Sequence, residues 1–553
     1  MITRVSRLFD GTVEDVLQEL LQNARRAGAA HVSVDLEEIA GSWYLAVCDD
    51  GCGIDDPADL LTLGQTGWGA SLARREDPAG MGVFSLAGRS TSITSYSSAA
   101  RGGWQVEIPH DGWEGGAELT ITPHPIALGT IVRVDLCDAW CRCIDGAARR
   151  VALYYPLPVT YRGEILPRAD FLEGAYRIEH WQGCRIGIFK GVTTDSSELP
   201  RVNCHGVTVR SRFPIVSEEK QFGKWTARVD ILDAPALQLV LPARKEMVEN
   251  IAVEALRIAV EKSLFRSIAH EPQHRLSYRS YQRARELGIA LKEADPYLEA
   301  WIPTVKDNSE QVPGAAIRDA RMILMPYFEA DIEQGMSRAF RNCGSMDQPM
   351  VRADPAFEGY SWYDALPRLA SLKFLIGDCG QIYSPDQSLP ETVQPSRLER
   401  LDMEFAIASS GHPDALTELY LAPVDMLVCN NGSFDLDDAL IFVARDATTT
   451  PAELTALIIS SMFCPSDDSD ADSWYTQHAD YERRARHLAN VLLLTEDEAL
   501  TARIHDAFVE AVQWLVPPDR TLSLSATRGD VSIAITAAPT VNQDQPTCLS
   551  QQG

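Results

Sequence analysis

Two short stretches, "ELLQNARRAGA" (residues 19–29) and "CDDGCGI" (48–54), decide the fold between them. Around the first, Val13, Val16, Leu17, Leu20, Leu21 and Ala24 recur at helical spacing. Residues 12–28 therefore read as a helix, opened by Thr12 with Asp15 and closed by Gly28. Glu19 and Asn23 stand one turn apart beside that apolar stripe. The second stretch ends an apolar strand, "WYLAVCDD" (43–50), and its Gly51 and Gly53 permit a tight turn and close approach by a flat ligand.

Working outward, "HVSVDLEE" (31–38) alternates like a strand, as do "STSITSYS" (90–97), "WQVEIP" (104–109), "AELTITP" (117–123) and "GTIVRVDL" (129–136). The spacing predicts an α/β sandwich with a mostly antiparallel sheet, ending near residue 150. A second unit, 151–290, has strand-like runs "YYPLPVTYRGEI" (154–165), "CRIGIFKG", "GVTVRSRFPIV", "ARVDILD" and "LQLVLPAR", then helical sequence over 246–287. Residues 291–538 read as a mixed, helix-rich region with helices near 313–342, 451–463 and 476–515. Residues 539–553 read as a disordered tail. The fold class expected is α+β. At 553 residues the chain is too long for one core, and about three domains are expected.

Composition narrows the function classes. The formal net charge of −28 argues against broad nucleic-acid binding, which needs clustered Lys and Arg. No lysine precedes Lys190, so a phosphate site in the first third must use backbone N–H groups, arginine or a metal. No G-x-x-x-x-G-K-[ST] occurs. No apolar run reaches the length of a membrane span, and "MITRVSRLFDG" lacks the apolar core of a signal peptide, so the expectation is a cytoplasmic protein. The 12 cysteines are scattered as reduced thiols would be. Their one cluster, Cys137, Cys141 and Cys143, lacks a downstream pair that would complete a metal site.

Chemistry concentrates in four boxes. A carboxylate such as Glu19 can take a proton from water as a general base. A carboxamide such as Asn23 is a hard neutral ligand suited to Mg²⁺. Asp49, at the strand end, can accept a hydrogen bond from an exocyclic amine. Gly80-Met81-Gly82 offers backbone N–H groups before a helix expected from about Val83, an anion site without lysine. Thr130 opens a strand and adds a hydroxyl.

In this order, the four boxes resemble the GHKL ATPases, the group that holds gyrase, the ninety-kilodalton heat-shock chaperones, histidine kinases and MutL. The resemblance covers residues 1–150 and implies a Bergerat-type sandwich binding ATP and Mg²⁺. Glu19 would be the general base and Asn23 the Mg²⁺ ligand. Asp49 would read the adenine amine in a pocket shaped by Gly51 and Gly53. Gly80 and Gly82 would meet the phosphates, with Thr130 near the base. Residues 64–80 would be the lid, hinged at Gly64, Gly67 and Gly69, with Arg74 or Arg75 approaching phosphate. Family members often carry Asp-Ala where this chain has Arg26-Ala27, which puts any contact of that acid in doubt.

Residues 151–290 resemble the transducer-like domain that follows this module in several branches. "LPARKEMVEN" (241–250) resembles its loop to the γ-phosphate, which makes Arg244 and Lys245 catalytic candidates. "TQHADYERR" (476–484) departs from a nuclease metal motif at Thr476, and beyond it His487 stands where a further Glu would be expected, so the stretch reads instead as an amphipathic helix.

The architecture points first to the heat-shock-chaperone-like branch. There ATP hydrolysis drives lid closure and conformational change in a homodimer acting on a protein client or partner subunit. A MutL- or MORC-like DNA-associated ATPase, in repair or defence against foreign DNA, is the alternative, with direct DNA binding less favoured. A third reading is an ATP-binding sensor without turnover.

Overall fold

Thr12 Oγ1 accepts the amide of Asp15 at 3.2 Å and starts helix α1, Val13–Arg26. At its other end Gly28 takes φ +69°, a left-handed stop that glycine adopts without Cβ strain. Val13, Val16, Leu17, Leu20, Leu21 and Ala24 are all buried, as the stripe predicts. The computed structural model describes residues 12–39, 41–58, 85–114, 118–191, 200–221, 223–240, 246–306, 314–318, 321–343, 348–377, 380–412, 415–433, 435–468 and 470–537. Gly80, Gly82, Arg244, Lys245, the lid segment 64–80 and the tail 539–553 lie outside them. The chain divides into two compact units, residues 1–295 and 296–553.

The first unit opens with strands β1 (Val32–Ile39), β2 (Ser42–Asp49), β3 (Thr91–Ser97), β4 (Gly102–Ile108), β5 (Ile121–Pro123), β6 (Thr130–Asp135), β7 (Val159–Tyr161) and β8 (Glu164–Ile165). They form one sheet in the order β5-β4-β3-β6-β2-β1-β7-β8, antiparallel except for the β1–β7 pair. Every strand expected before residue 137 is present. "YYPLPVTYRGEI", read from sequence as part of the following unit, supplies β7 and β8 and completes this first sheet. Helix α1 and helix α2 (Ile144–Leu153) share one core with the sheet, built on Leu17, Leu21, Leu45, Val134 and Val151.

A second sheet follows in the same unit: β9 (Arg177–Trp181), β10 (Cys184–Gly191), β11 (Val202–Cys204), β12 (Val207–Val209), β13 (Val216–Ser217) and β14 (Lys224–Ile231). Its order is β12-β11-β14-β10-β9, with β13 beside β14. Helix α3 (Ile251–Ile268), capped by Asn250, lays Val253, Leu256, Val260 and Leu264 into its core, and α4 (Tyr278–Glu286) follows. "LQLVLPAR" forms no strand in its described part, where Leu239 makes an isolated bridge to Met247.

The second unit contains strands the sequence reading did not name. They are β15 (Leu298–Glu299), β16 (Ala316–Ile317), β17 (Ile323–Met325), β18 (Met350–Arg352), β19 (Arg368–Ile376), β20 (Gln381–Tyr383), β21 (Ser396–Leu398), β22 (Leu401–Ala408), β23 (Thr417–Pro423), β24 (Met426–Cys429) and β25 (Leu440–Ala444). A sheet β18-β17-β19-β22-β23 and a smaller one, β21-β25-β24, frame a core around Met336, Phe374, Phe405 and Phe442. Helices α5 (Ala330–Asn342), α6 (Pro451–Met462), α7 (Trp474–Leu493) and α8 (Glu496–Ala511) match the expected helical stretches except over 313–329, where β16 and β17 stand instead. A hairpin, β26 (Arg520–Thr527) and β27 (Asp530–Ala537), ends the described chain.

Candidate functional site

Glu19 and Gln22 lie beside the apolar stripe of α1, yet both are buried, at 8 % and 5 % exposure. Burial of a carboxylate off the core face needs a partner. Arg26 supplies one, its Nη1 standing 3.9 Å from Glu19 Oε1 and donating to Asn23 Oδ1 at 3.2 Å. The oxygens of Glu19 and Asn23 therefore converge on one cation. The substitution noted in the sequence, arginine where the family often has an acid, puts a guanidinium between the two residues expected to carry the chemistry.

The second wall is the end of β2. Asp49 pairs with Thr130 at the start of β6, and Thr130 pairs in turn with Ser95 on β3. Three polar residues thus stand side by side across adjacent strands, with Ser95 Oγ and Thr130 Oγ1 2.9 Å apart. Ser95 Oγ also accepts the amide of Ile54 at 2.9 Å, which fixes the turn after Gly53. Burial pushes the Asp49 carboxyl above the ordinary carboxylate range, and backbone hydrogen bonds from Gly51 and Thr130 offset part of that rise. Asp50 differs: it accepts the amides of Ala30 and His31 at 2.7 and 3.0 Å, and these bonds hold its carboxyl below the usual range. One acid of the pair shapes a turn. The other keeps a half-buried carboxylate at the strand end.

The glycines are demanded by approach distances. A Cβ on Gly51 would fall 2.6 Å from Ala27 Cβ. The Cys52 amide donates to Ala27 O at 2.9 Å, so this turn docks on the C-terminal end of α1. Gly53, at φ +77°, passes so close to β3 that a Cβ would meet Tyr96 O at 2.2 Å. Gly129, at φ +75°, leaves a Cβ only 1.8 Å from Asp49 O. Sequence reading named Gly51 and Gly53 as pocket residues. It missed what Gly129 does, though it quoted the "GT" pair, and missed Ser95, which carries no local signal in an alternating strand.

Helix α1 is also tied to the second sheet of its unit. Gln22 Nε2 donates to His205 O at 2.7 Å, in the turn between β11 and β12 where His205 and Gly206 both take positive φ. Tyr155 OH donates to Leu21 O at 2.6 Å. Asn203 joins that turn to the sheet, accepting the Gly206 amide at 2.9 Å and donating to Asp230 Oδ1 at 2.7 Å.

The structure thus brings Glu19, Asn23 and Arg26 together on one helix face, and Asp49, Thr130 and Ser95 together at one sheet end, joined through Ala27 and Gly51. Gly80, Gly82, Arg244 and Lys245 fall outside the described residues. In the second unit the residues of "TQHADYERR" serve packing. His478 stacks on Trp474 with centroids 4.7 Å apart, and Gln477 Oε1 accepts the Ser466 amide at 2.8 Å. Among the described residues no group of three or more His, Cys, Asp or Glu side chains is arranged to hold a metal, and no helix is long and apolar enough to cross a membrane.

No family model matches this chain. It is similar to the DNA mismatch repair protein MutL of Chromohalobacter salexigens, at 33 % identity over 132 residues, 21 % of this chain and 19 % of that protein. The chain thus spans about a fifth of the length of this curated relative. Among solved structures, the ATPase and transducer domains of DNA topoisomerase II from Balamuthia mandrillaris align over 35 % of this chain and 60 % of theirs, with 16 % identity and a TM-score of 0.27. So low a TM-score leaves the reading to rest on the boxes and on the MutL similarity, which together bear out the resemblance to the GHKL ATPases.

Proposed function

We propose that this GHKL-type chain binds ATP over the end of β2 and hydrolyses it with Glu19 as general base. The observation that supports this best is the pair of α1 oxygens, from Glu19 and Asn23, converging on one cation beside a strand end that carries a half-buried carboxylate. A site that holds two oxygens within 4 Å of one positive group also suits Mg²⁺, which prefers hard oxygen ligands. Asn23 would hold that ion, which when bound neutralises phosphate charge.

In the reaction, Glu19 takes a proton from water as the water oxygen bonds to the γ-phosphorus. The bond from that phosphorus to the bridging oxygen breaks, leaving ADP and phosphate. Asp49 receives the exocyclic amine of adenine, and Thr130, hydrogen-bonded to Ser95, closes the same edge. Gly80 and Gly82 meet the phosphates, and Arg244 or Lys245 stabilises charge on the transferred group. While Arg26 pairs with Glu19 the base is held by its counter-ion. Turnover therefore requires the guanidinium to leave, and the incoming triphosphate is the anion that draws it away.

For the biology, the reading we place first is an ATP-driven conformational change in a homodimer acting on a protein client. Similarity to MutL favours the second reading, a DNA-associated ATPase. Binding to duplex DNA across a salt series separates them. Affinity that falls steeply with salt supports the second reading, because phosphate contacts release counter-ions. No binding at low salt removes it. ATP turnover in wild type and Glu19→Ala, with nucleotide binding measured in both, tests the reaction itself.

A further inference from the structure

Gln22 takes no part in the proposed reaction, yet it is buried beside the residues that do. It stands one helical turn after Glu19 and next to Asn23, about 60° round α1 from the Glu19 carboxylate. Its Nε2 donates to His205 O at 2.7 Å, across 183 positions of sequence. That carbonyl lies in the turn between β11 and β12, where His205 takes φ +52° and Gly206 φ +95°. The left-handed region crowds the Cβ of a histidine against the backbone, so the surroundings must hold the turn in shape. Asn203 does so from within the sheet, accepting the Gly206 amide at 2.9 Å and donating to Asp230 Oδ1 at 2.7 Å on β14 beside it. Gly206 lies against Tyr155, where a Cβ would fall 3.0 Å from Tyr155 Cα. The Tyr155 hydroxyl in turn donates to Leu21 O at 2.6 Å. The turn thus reaches α1 twice, directly at Gln22 and by way of Tyr155 at the residue before it.

The apolar footing of α1 is of another kind. Leu17 and Leu21 pack with Leu45 and Val134 of the first sheet, and such contacts are non-directional. They keep the helix on its sheet without fixing its roll about its own axis. A directional bond at Gln22 does fix the roll. With a helix about 10–12 Å across, the Glu19 carboxylate rides about 6 Å from the axis, so a roll of about 10° moves it about 1 Å. A misplacement of that size at a reacting group costs about 100-fold in rate. Asn23 is more tolerant, because Mg²⁺ keeps several waters and can follow its ligand.

We propose that Gln22 is a positioning residue: its bond to the β11–β12 turn fixes the roll of α1, so the second sheet sets how Glu19 meets its water. The inference rests on the reading of Glu19 as general base. It makes the rate of hydrolysis, rather than the tightness of nucleotide binding, the quantity that the second sheet controls. A shift of the turn reaches the base through one side chain, while the strand end that carries Asp49 stays in place.

The test measures ATP turnover at saturating Mg²⁺ and ATP, and ATP binding by titration calorimetry. It uses the full chain as wild type, Gln22→Met, Gly206→Ala and the double variant. Methionine keeps the length and the buried stem of Gln22 and removes its donor. Alanine at 206 leaves Gln22 intact and pushes the turn away from Tyr155, which moves the acceptor. In each single variant kcat should fall about 10- to 100-fold. The Kd for ATP should stay within about threefold, since the metal follows Asn23. The double variant should be no slower than the slower single, because both changes break one bond. Unchanged kcat in both single variants overturns the proposal. So do kcat and affinity falling together, which is a general loosening of α1, and a double variant that shows the product of the two losses. A wild type that binds ATP without hydrolysing it removes the reading of Glu19, and Gln22 falls with it. Wild-type turnover beside variants of full rate overturns Gln22 alone.

Discussion

Arg26→Ala isolates the least familiar feature of the site. The guanidinium lies 3.9 Å from Glu19 Oε1, and the two side chains are only 8 % and 10 % exposed. At that distance and an effective dielectric near 20 the attraction is about 4 kcal/mol. Removing one partner of a buried pair costs about 3 to 5 kcal/mol, because the other charge is left uncompensated. The 3.9 Å separation is long for an ion pair, which places the loss near the lower end, about 3 kcal/mol. In a protein of several cores a global melt would blur this, so the assay is hydrogen exchange of the α1 amides in the nucleotide-free chain. Exchange should quicken by about 100-fold. The Mg²⁺ requirement of nucleotide binding should move oppositely, because no cation has to leave Asn23. The Mg²⁺ concentration for half-maximal binding should fall about tenfold or more, as expected when like charges no longer compete at close range. If α1 protection and the Mg²⁺ requirement are both unchanged, the guanidinium does not bridge the two residues, and the reasoning is refuted.

Asp49→Asn should weaken ATP binding by about 10- to 100-fold, the loss of one hydrogen bond to a charged group, as titration calorimetry would measure. The same variant should stabilise the nucleotide-free chain at neutral pH. Because burial raises the Asp49 carboxyl, the folded state holds its proton more tightly than the unfolded state. Stability from this group is therefore greatest at low pH and is lost as pH rises from the ordinary carboxylate value through the raised one. Asparagine removes that loss, so the gain over wild type should grow from pH 4 to pH 7 in denaturant unfolding; a gain that shrinks would contradict the assignment. Gly129→Ala forces a side chain into φ +75° with its Cβ 1.8 Å from Asp49 O. It should cost at least about 2 kcal/mol and abolish nucleotide binding by displacing the end of β2, and a variant that binds ATP normally would show that this close approach is dispensable.

The parts legible in the sequence were those with short-range signals. Glu19 and Asn23 are four residues apart on a helix whose stripe is unambiguous, and Asp49, Gly51 and Gly53 fall within one turn. Ser95 was not legible because its role comes from lying beside Thr130 across two strands, 35 residues later. Likewise the bond from Gln22 to His205 joins residues 183 positions apart. Arg26 was visible as a departure, but its geometry between two oxygens was not. In the second unit, β17, β18, β20 and β21 have three residues each, too short to show alternation. The hairpin is different: "TLSLSATRGDVSIAITA" alternates cleanly about an Arg-Gly turn, a strand signal lying just past the helix expected over 476–515.

The central claim is a nucleotide site with Glu19 as its base, and Mg²⁺-dependent ATP turnover by the purified chain, beside Glu19→Ala, tests it most directly. The account predicts turnover in wild type, and its loss in the variant while ATP still binds. A wild type that binds ATP without turning it over, or a variant that hydrolyses ATP as fast as wild type, would contradict it.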